Sequence, residues 1–241
     1  MPRETGIDTC SMKVALISGT SINRAGIFDD WEIESRSTPF GNVELKRRND
    51  LVVVNRHGFT NPLPPHRSPY RSYTFALKDL GVDSVLALSS VGSLREDLFP
   101  GTYVSCDDYV SFAPATLIDD RPSGFAPRLD NGLLETVQSL CDEEIVADCV
   151  YAQTRGPRFE TRAEVRILRS WGCDVVGMTF ANEADLLLEA GIALTSFCMV
   201  DNFAHGIGEK RLTMDGFHEA VGDNQSKIDR FLAAFVGRFG G

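Results

Sequence analysis

Seven short stretches of this chain are apolar along most of their length: MKVALIS (12–18), LVVVN (51–55), DSVLALSS (83–90), TYVSC (102–106), EIVADCVYAQ (144–153), CDVVGMT (173–179) and IALTSFCMV (192–200). A strand with one wet face alternates polar and apolar residues. Several of these stretches do not alternate, so both of their faces need cover. The cover is visible between them. YRSYTFALKDLG (70–81), LDNGLLETVQSLC (129–141), ETRAEVRILRSWG (160–172), ANEADLLLEAG (181–191) and the long run 213–239 read as helices, and three of them end on a glycine that stops a helix. Strands alternating with helices, the strands too apolar to face water, predict an α/β sandwich around a largely buried sheet.

With 241 residues, 43% hydrophobic and 24% charged, one substantial core is within reach, so one domain over 1–241 is expected. The polar start MPRETGIDTCSMK is unlike a signal peptide, and residues 1–11 are expected to form a flexible extension. No apolar run reaches membrane-spanning length, which predicts a cytoplasmic protein with no membrane partner. The net charge of -10 argues against nucleic acid as a partner, because phosphate backbones are bound by basic surface. An anionic substrate therefore needs a local cationic site. The six cysteines, at 10, 106, 141, 149, 173 and 198, form no CxxC and fall partly in apolar runs, where reduced thiols pack as small hydrophobes; no disulfide is expected. Residues 111–129 are the one long loop, of a length that is usually functional or mobile.

In sheets buried on both faces, chemistry collects where strands end. Five ends here are polar or glycine-rich. ISGTSI (17–22) offers backbone amides and the Thr20 hydroxyl to an anion, without the lysine of a P-loop or the spacing of a dinucleotide fingerprint, and a plain turn accounts for it as well. NRHG (55–58) offers the planar fork of Arg56 and a donor on His57. SSVGSL (89–94) sets two hydroxyls after an apolar strand; GMTFANE (177–183) and MVDNFAHG (199–206) are the fourth and fifth ends. The first three together supply amides, hydroxyls and one guanidinium, a set suited to phosphate. A further feature is GPRFETRAE (156–164), where Gly156-Pro157 interrupts a helix-ready pattern before a helix expected from Glu160. Thr161 to Glu164 reads as a capping box, which leaves Phe159 and Glu160 on the turn.

Taken in order, GTSI, NRHG with PPH (64–66), SSVGSLRED with PG (100–101), GPRFETRAE, DVVGMT followed by Glu183-Ala184, and VDN resemble the trimeric purine nucleoside phosphorylases and, more closely, the methylthioadenosine phosphorylases. The resemblance runs from about residue 12 to about 235 and is weakest in 111–135. It implies a single-domain α/β/α sandwich with a mixed central sheet, a homotrimer, and no cofactor. It also implies inorganic phosphate as co-substrate, attacking the anomeric carbon of a purine nucleoside and releasing the base and a ribose 1-phosphate. Position by position, the resemblance gives phosphate to Thr20, Arg56, His57, Ser89 and Thr179, sets Met178 under the ribose and Phe159 against the purine face, and brings Glu160 and Asn202 to the base. His57, Glu160 and Asn202 are the residues expected to carry catalysis.

The base end carries the specificity argument. A 6-oxopurine has an N1–H that a carboxylate accepts, whereas adenine has a bare N1 that an ionised carboxylate repels. Adenine-specific members carry serine and aspartate where this chain has Glu160 and Asn202, and an asparagine offers a donor for O6 with an acceptor for a protonated N7. Asp201 stands where threonine is usual, and strand alternation lets only one of the neighbours 201 and 202 reach the base. At the sugar end, Met214 falls where oxopurine phosphorylases of the ordinary kind place a histidine near the 5′-hydroxyl. An apolar side chain there suits a methylthio group. The expected substrate is therefore S-methyl-5′-thioinosine, giving hypoxanthine and 5-methylthioribose 1-phosphate; inosine or guanosine, then methylthioadenosine, then a non-catalytic nucleoside-binding role, are the alternatives. His205 and His218 lie outside the matched blocks and read as surface or loop residues.

Overall fold

The computed structural model describes residues 12–122, 124–208 and 212–241; the extension expected over 1–11 lies outside the described residues. In chain order the elements are β1 (Val14–Ser18), β2 (Ile33–Thr38), β3 (Gly41–Arg48), β4 (Leu51–Asn55), α1 (Tyr70–Asp79), β5 (Ser84–Ser93), β6 (Tyr103–Val110), α2 (Leu134–Ser139), β7 (Ile145–Gln153), α3 (Arg162–Ser170), β8 (Val175–Gly177), α4 (Phe180–Glu189), β9 (Ala193–Phe203) and α5 (Met214–Phe239). Among the described residues, the nine strands form one sheet in the order β2-β3-β4-β1-β5-β8-β7-β6-β9, and β9 also pairs with β5, so the last five strands close on one another. Pairing is parallel for β1 with β4 and β5, and for β5 with β9, but antiparallel for β5 with β8 and β6 with β9. The sheet is mixed, as the resemblance implied.

The continuous apolar runs are explained by what covers them. One face of β1, β4 and β5, carrying Ala15, Ile17, Val52, Val54, Val85 and Ala87, packs against Tyr73 and Leu77 of α1 and Phe180, Ala184 and Leu187 of α4. The other face, carrying Leu16, Val53, Leu86 and Leu88, packs against Ile228, Phe231, Leu232 and Phe235 of α5. A smaller cluster seats Val165 and Leu168 of α3 on Ala152 and Val176. The result is the α/β/α sandwich.

Three differences from the expectation have local causes. The hairpin β2–β3 was not anticipated; its strands IESRST and GNVELKRR form the sheet edge, where partial exposure allows charged residues and weakens the apolar signal. The helix expected over 129–141 shortens to α2 because Asn131 takes a left-handed conformation (φ 48°) while its side chain accepts from Ser196 N and donates to Cys106 O. The helix expected from Glu160 starts at Arg162, capped by Thr161. Among the described residues, Cys106, Cys141, Cys149, Cys173 and Cys198 are free thiols, and no helix is long and apolar enough to cross a membrane. Cys10 lies outside the described residues.

Candidate active site

The strand ends β1, β4, β5, β8 and β9 surround a cavity of about 350 Å³, closed on one side by the 157–160 turn and on another by the first turns of α5. Of the ten residues that the sequence assigned to a site, nine line it: Thr20, Arg56, His57, Phe159, Glu160, Met178, Thr179, Asn202 and Met214. Ser89 does not. It is buried with its hydroxyl in no hydrogen bond, and its neighbour Ser90 takes the wall position because successive strand residues face opposite ways.

Arg56 differs most from its expected part. Its Nε and Nη2 donate to the two carboxylate oxygens of Glu183 at 2.7 and 3.0 Å, Nη1 donates to Leu88 O at 2.9 Å, and Nη2 also reaches Ile17 O at 3.4 Å. The fork offered to an oxyanion by the sequence is thus held by a fully buried carboxylate, which also accepts from Tyr73 Oη at 2.9 Å. Burial opposes the charge on Arg56, yet the adjoining Glu183 carboxylate holds its pKa above the ordinary value. The cavity keeps a cationic wall, with few guanidinium hydrogens left to share. Glu183 stands in one of the blocks that carry the resemblance, but nothing in the sequence marks it as the partner of Arg56.

His57 stands beside it as a neutral imidazole. Burial first, and then the Arg56 charge, push it down to about 4. Its backbone N–H donates to Asn55 Oδ1 and its carbonyl accepts from Leu63 N, so both sides of the residue are fixed. Gly19 allows the approach: a Cβ there would sit 2.7 Å from His57 Cδ2 and Nε2.

At the 157–160 turn, the capping box forms as read. Thr161 Oγ1 accepts from Glu164 N at 3.2 Å, and Thr161 N donates to Glu164 Oε2 at 2.7 Å. Arg158 adds a two-pronged ion pair to Glu164, and His205 Nδ1 lies 3.1 Å from Glu160 O, so the turn is held from both sides. Glu160 is buried and accepts from Thr154 Oγ1 at 2.7 Å through Oε1. Gly156, at φ 65° and joined to Pro157 by a cis peptide, lets Met178 close up; a Cβ there would lie 2.5 Å from its sulfur. Phe159 meets Phe217 of α5 edge to face at 5.8 Å.

The pair at 201 and 202 divides between the cavity wall and the interior. Across β5 and β9, Val91 pairs with Val200 and Gly92 with Asn202, so Asp201 is an extra residue in a bulge. Asn202 lines the cavity, its Nδ2 donating to Phe203 O at 2.8 Å. Asp201 is buried behind the wall, accepting from Ser90 Oγ and from Asn224 Nδ2 of α5. His218 corrects the sequence reading: it is exposed, but it lies on α5 one turn from Met214 and lines the cavity. His205 stays outside the wall. Asn23, Leu63 and Phe217 also line it without having been singled out; their only signal is proximity to matched blocks. Among the described residues, no group of three or more His, Cys, Asp or Glu side chains is arranged to hold a metal ion.

A relative from Methanocaldococcus jannaschii named "Probable S-methyl-5'-thioinosine phosphorylase" is 35% identical over 235 residues, covering 92% of this chain and 91% of its own. An Archaeoglobus fulgidus protein named "Probable 6-oxopurine nucleoside phosphorylase" is 33% identical, covering 88% of this chain and 90% of its own. Among solved structures, methylthioadenosine phosphorylase from Schistosoma mansoni in complex with adenine superposes with a TM-score of 0.75 at 25% identity, covering 95% of this chain and 92% of its own. The phosphorylase superfamily model matches residues 13–237, a span that takes in every wall of the cavity, and the chain belongs to that superfamily.

Proposed function

We propose that this protein cleaves the N-glycosidic bond of a 6-oxopurine nucleoside with inorganic phosphate. The substrate we assign is S-methyl-5′-thioinosine, giving hypoxanthine and 5-methylthioribose 1-phosphate. The observation that carries the reading is one cavity lined by a buried carboxylate, Glu160, by an amide, Asn202, and by Thr20, His57 and Thr179. The relatives from M. jannaschii and A. fulgidus, by their names, act on nucleosides of this class.

Phosphate is held by the hydroxyls of Thr20 and Thr179 and by neutral His57, with Arg56 supplying positive potential from the wall. No covalent nucleophile is needed: positioning phosphate under the sugar makes the attack effectively intramolecular. As the phosphate oxygen bonds to C1′, the C1′–N9 bond breaks and its electron pair passes to the purine, which takes up a proton at N7 from solvent water. Asn202 Oδ1 accepts from that N7–H, and its Nδ2 keeps one hydrogen for O6. Glu160 accepts from N1–H, an interaction that adenine cannot make. The Asn202 contacts strengthen as charge builds on the base, so they act on the transition state more than on binding, whereas the Glu160 contact to N1–H selects the base already in the bound substrate. Met178 packs under the ribose and Phe159 against the purine face.

A second reading has its own observation. His218 lies one turn from Met214 at the same side of the cavity and can donate to a 5′-hydroxyl, which favours inosine or guanosine. We also assign a homotrimer working in purine salvage in the cytoplasm. A second groove of about 790 Å³ beside the site, with Phe40 and the exposed Phe112 on its wall, supports burial against another copy. Hypoxanthine release from methylthioinosine, followed with and without phosphate, tests the reaction; release independent of phosphate contradicts it.

A further inference from the structure

Ser90 and Asp201 form a unit that the reaction above does not use. Ser90 lines the cavity; Asp201 lies behind it, 2% exposed, and makes no ion pair among the described residues. Its Oδ1 accepts from Asn224 Nδ2 at 2.8 Å and its Oδ2 accepts from the Ser90 hydroxyl. A hydroxyl has a single proton to give. With that proton directed at Asp201, Ser90 meets the cavity with lone pairs only.

Its place along β5 says what it meets. Two residues before it, Leu88 O accepts from Arg56 Nη1 on the phosphate side. Two residues after it, Gly92 abuts Asn202 on the base side, where a Cβ would lie 3.2 Å from Nδ2. Ser90 is midway, and in any phosphorolysis the sugar lies between phosphate and base because both bond to C1′. We propose that Ser90 is a specificity-determining residue that accepts a hydrogen bond from a ring hydroxyl of the pentose, and that Asp201 is the positioning residue that keeps it an acceptor. This rests on the phosphorolysis reading. An acceptor aimed at the sugar favours ribonucleosides over nucleosides lacking that hydroxyl, since a deoxy substrate leaves a desolvated acceptor unpaired.

The test compares a 6-oxopurine ribonucleoside with its 2′-deoxy and 3′-deoxy forms, in whichever 5′ series, hydroxyl or methylthio, the wild type cleaves faster. Ser90→Ala is expected to lower kcat/KM for the ribonucleoside about tenfold and to leave one of the deoxy substrates within about twofold; that substrate identifies the hydroxyl. Asp201→Asn, similar in shape, is expected to compress the same ribo-to-deoxy ratio, which general loosening of the fold would not do. Equal losses on all three substrates, or a ratio unmoved by either variant, overturn the proposal while phosphorolysis stands. A wild type that releases base from none of them overturns the phosphorolysis reading, and the proposal with it.

Discussion

Replacing Arg56 by alanine should damage the fold before it damages phosphate binding. Glu183 is fully buried, and its two oxygens receive two N–H donors from Arg56 and one O–H from Tyr73. Without Arg56 the carboxylate keeps one neutral partner in an apolar interior. Breaking a buried pair from one side costs about 3–5 kcal/mol, mainly through the charge left behind. At about 2–4 °C per kcal/mol for a chain of this size, Tm should fall by roughly 6–20 °C. Replacing both members, Arg56→Met with Glu183→Leu, removes the orphan charge and should return most of the lost Tm, while the Michaelis constant for phosphate stays raised. Calorimetry on the three proteins, paired with phosphate titrations of activity, separates the two effects. An Arg56→Ala protein that melts with the wild type, or a double variant no more stable than the single one, would refute the reasoning.

Other consequences are smaller in scale. Gly19→Ala forces a methyl to within contact distance of the His57 ring and should raise the phosphate Michaelis constant at least tenfold, with an overpacking cost of about 1–3 kcal/mol seen in the melt. His57 binds its proton in the unfolded chain near 6.5 but in the fold only near 4. The unfolded state therefore holds more protons between those values, and stability attributable to His57 should fall as pH drops from 6.5 towards 4; His57→Gln should flatten that part of the curve. Glu160→Gln keeps the acceptor for Thr154 but loses the charge, and should lower kcat/KM for oxopurines about tenfold, as single-substrate kinetics will show.

Much of the site was legible because strand ends and caps are local. The turn 156–164 is marked locally by a proline, a glycine and a capping box within nine residues, although His205 and Met178 also pack against it from elsewhere in the chain. Strand alternation limited the base contact to one of Asp201 and Asn202 but left open which, because the bulge that makes Asp201 an extra residue depends on β5 and has no mark in β9 itself. Long-range pairings were not legible. Arg56 reads as a free fork until α4 brings Glu183 across 127 positions. His218 reads as a surface residue until α5 lays its first turns over the cavity, and Ser89 and Ser90 are interchangeable until the sheet assigns them faces. The β2–β3 hairpin escaped for a different reason: edge strands are charged, and period alone separates them poorly from loops.

If Glu160 and Asn202 select a 6-oxopurine, the ratio of specificity constants will show it. Methylthioinosine, inosine and methylthioadenosine should be compared at saturating phosphate with one preparation of enzyme. Methylthioinosine is expected first, inosine next, and methylthioadenosine lower by two or more orders of magnitude, on the order of the penalty for leaving buried polar groups unpaired. Methylthioadenosine cleaved as fast as methylthioinosine would contradict it.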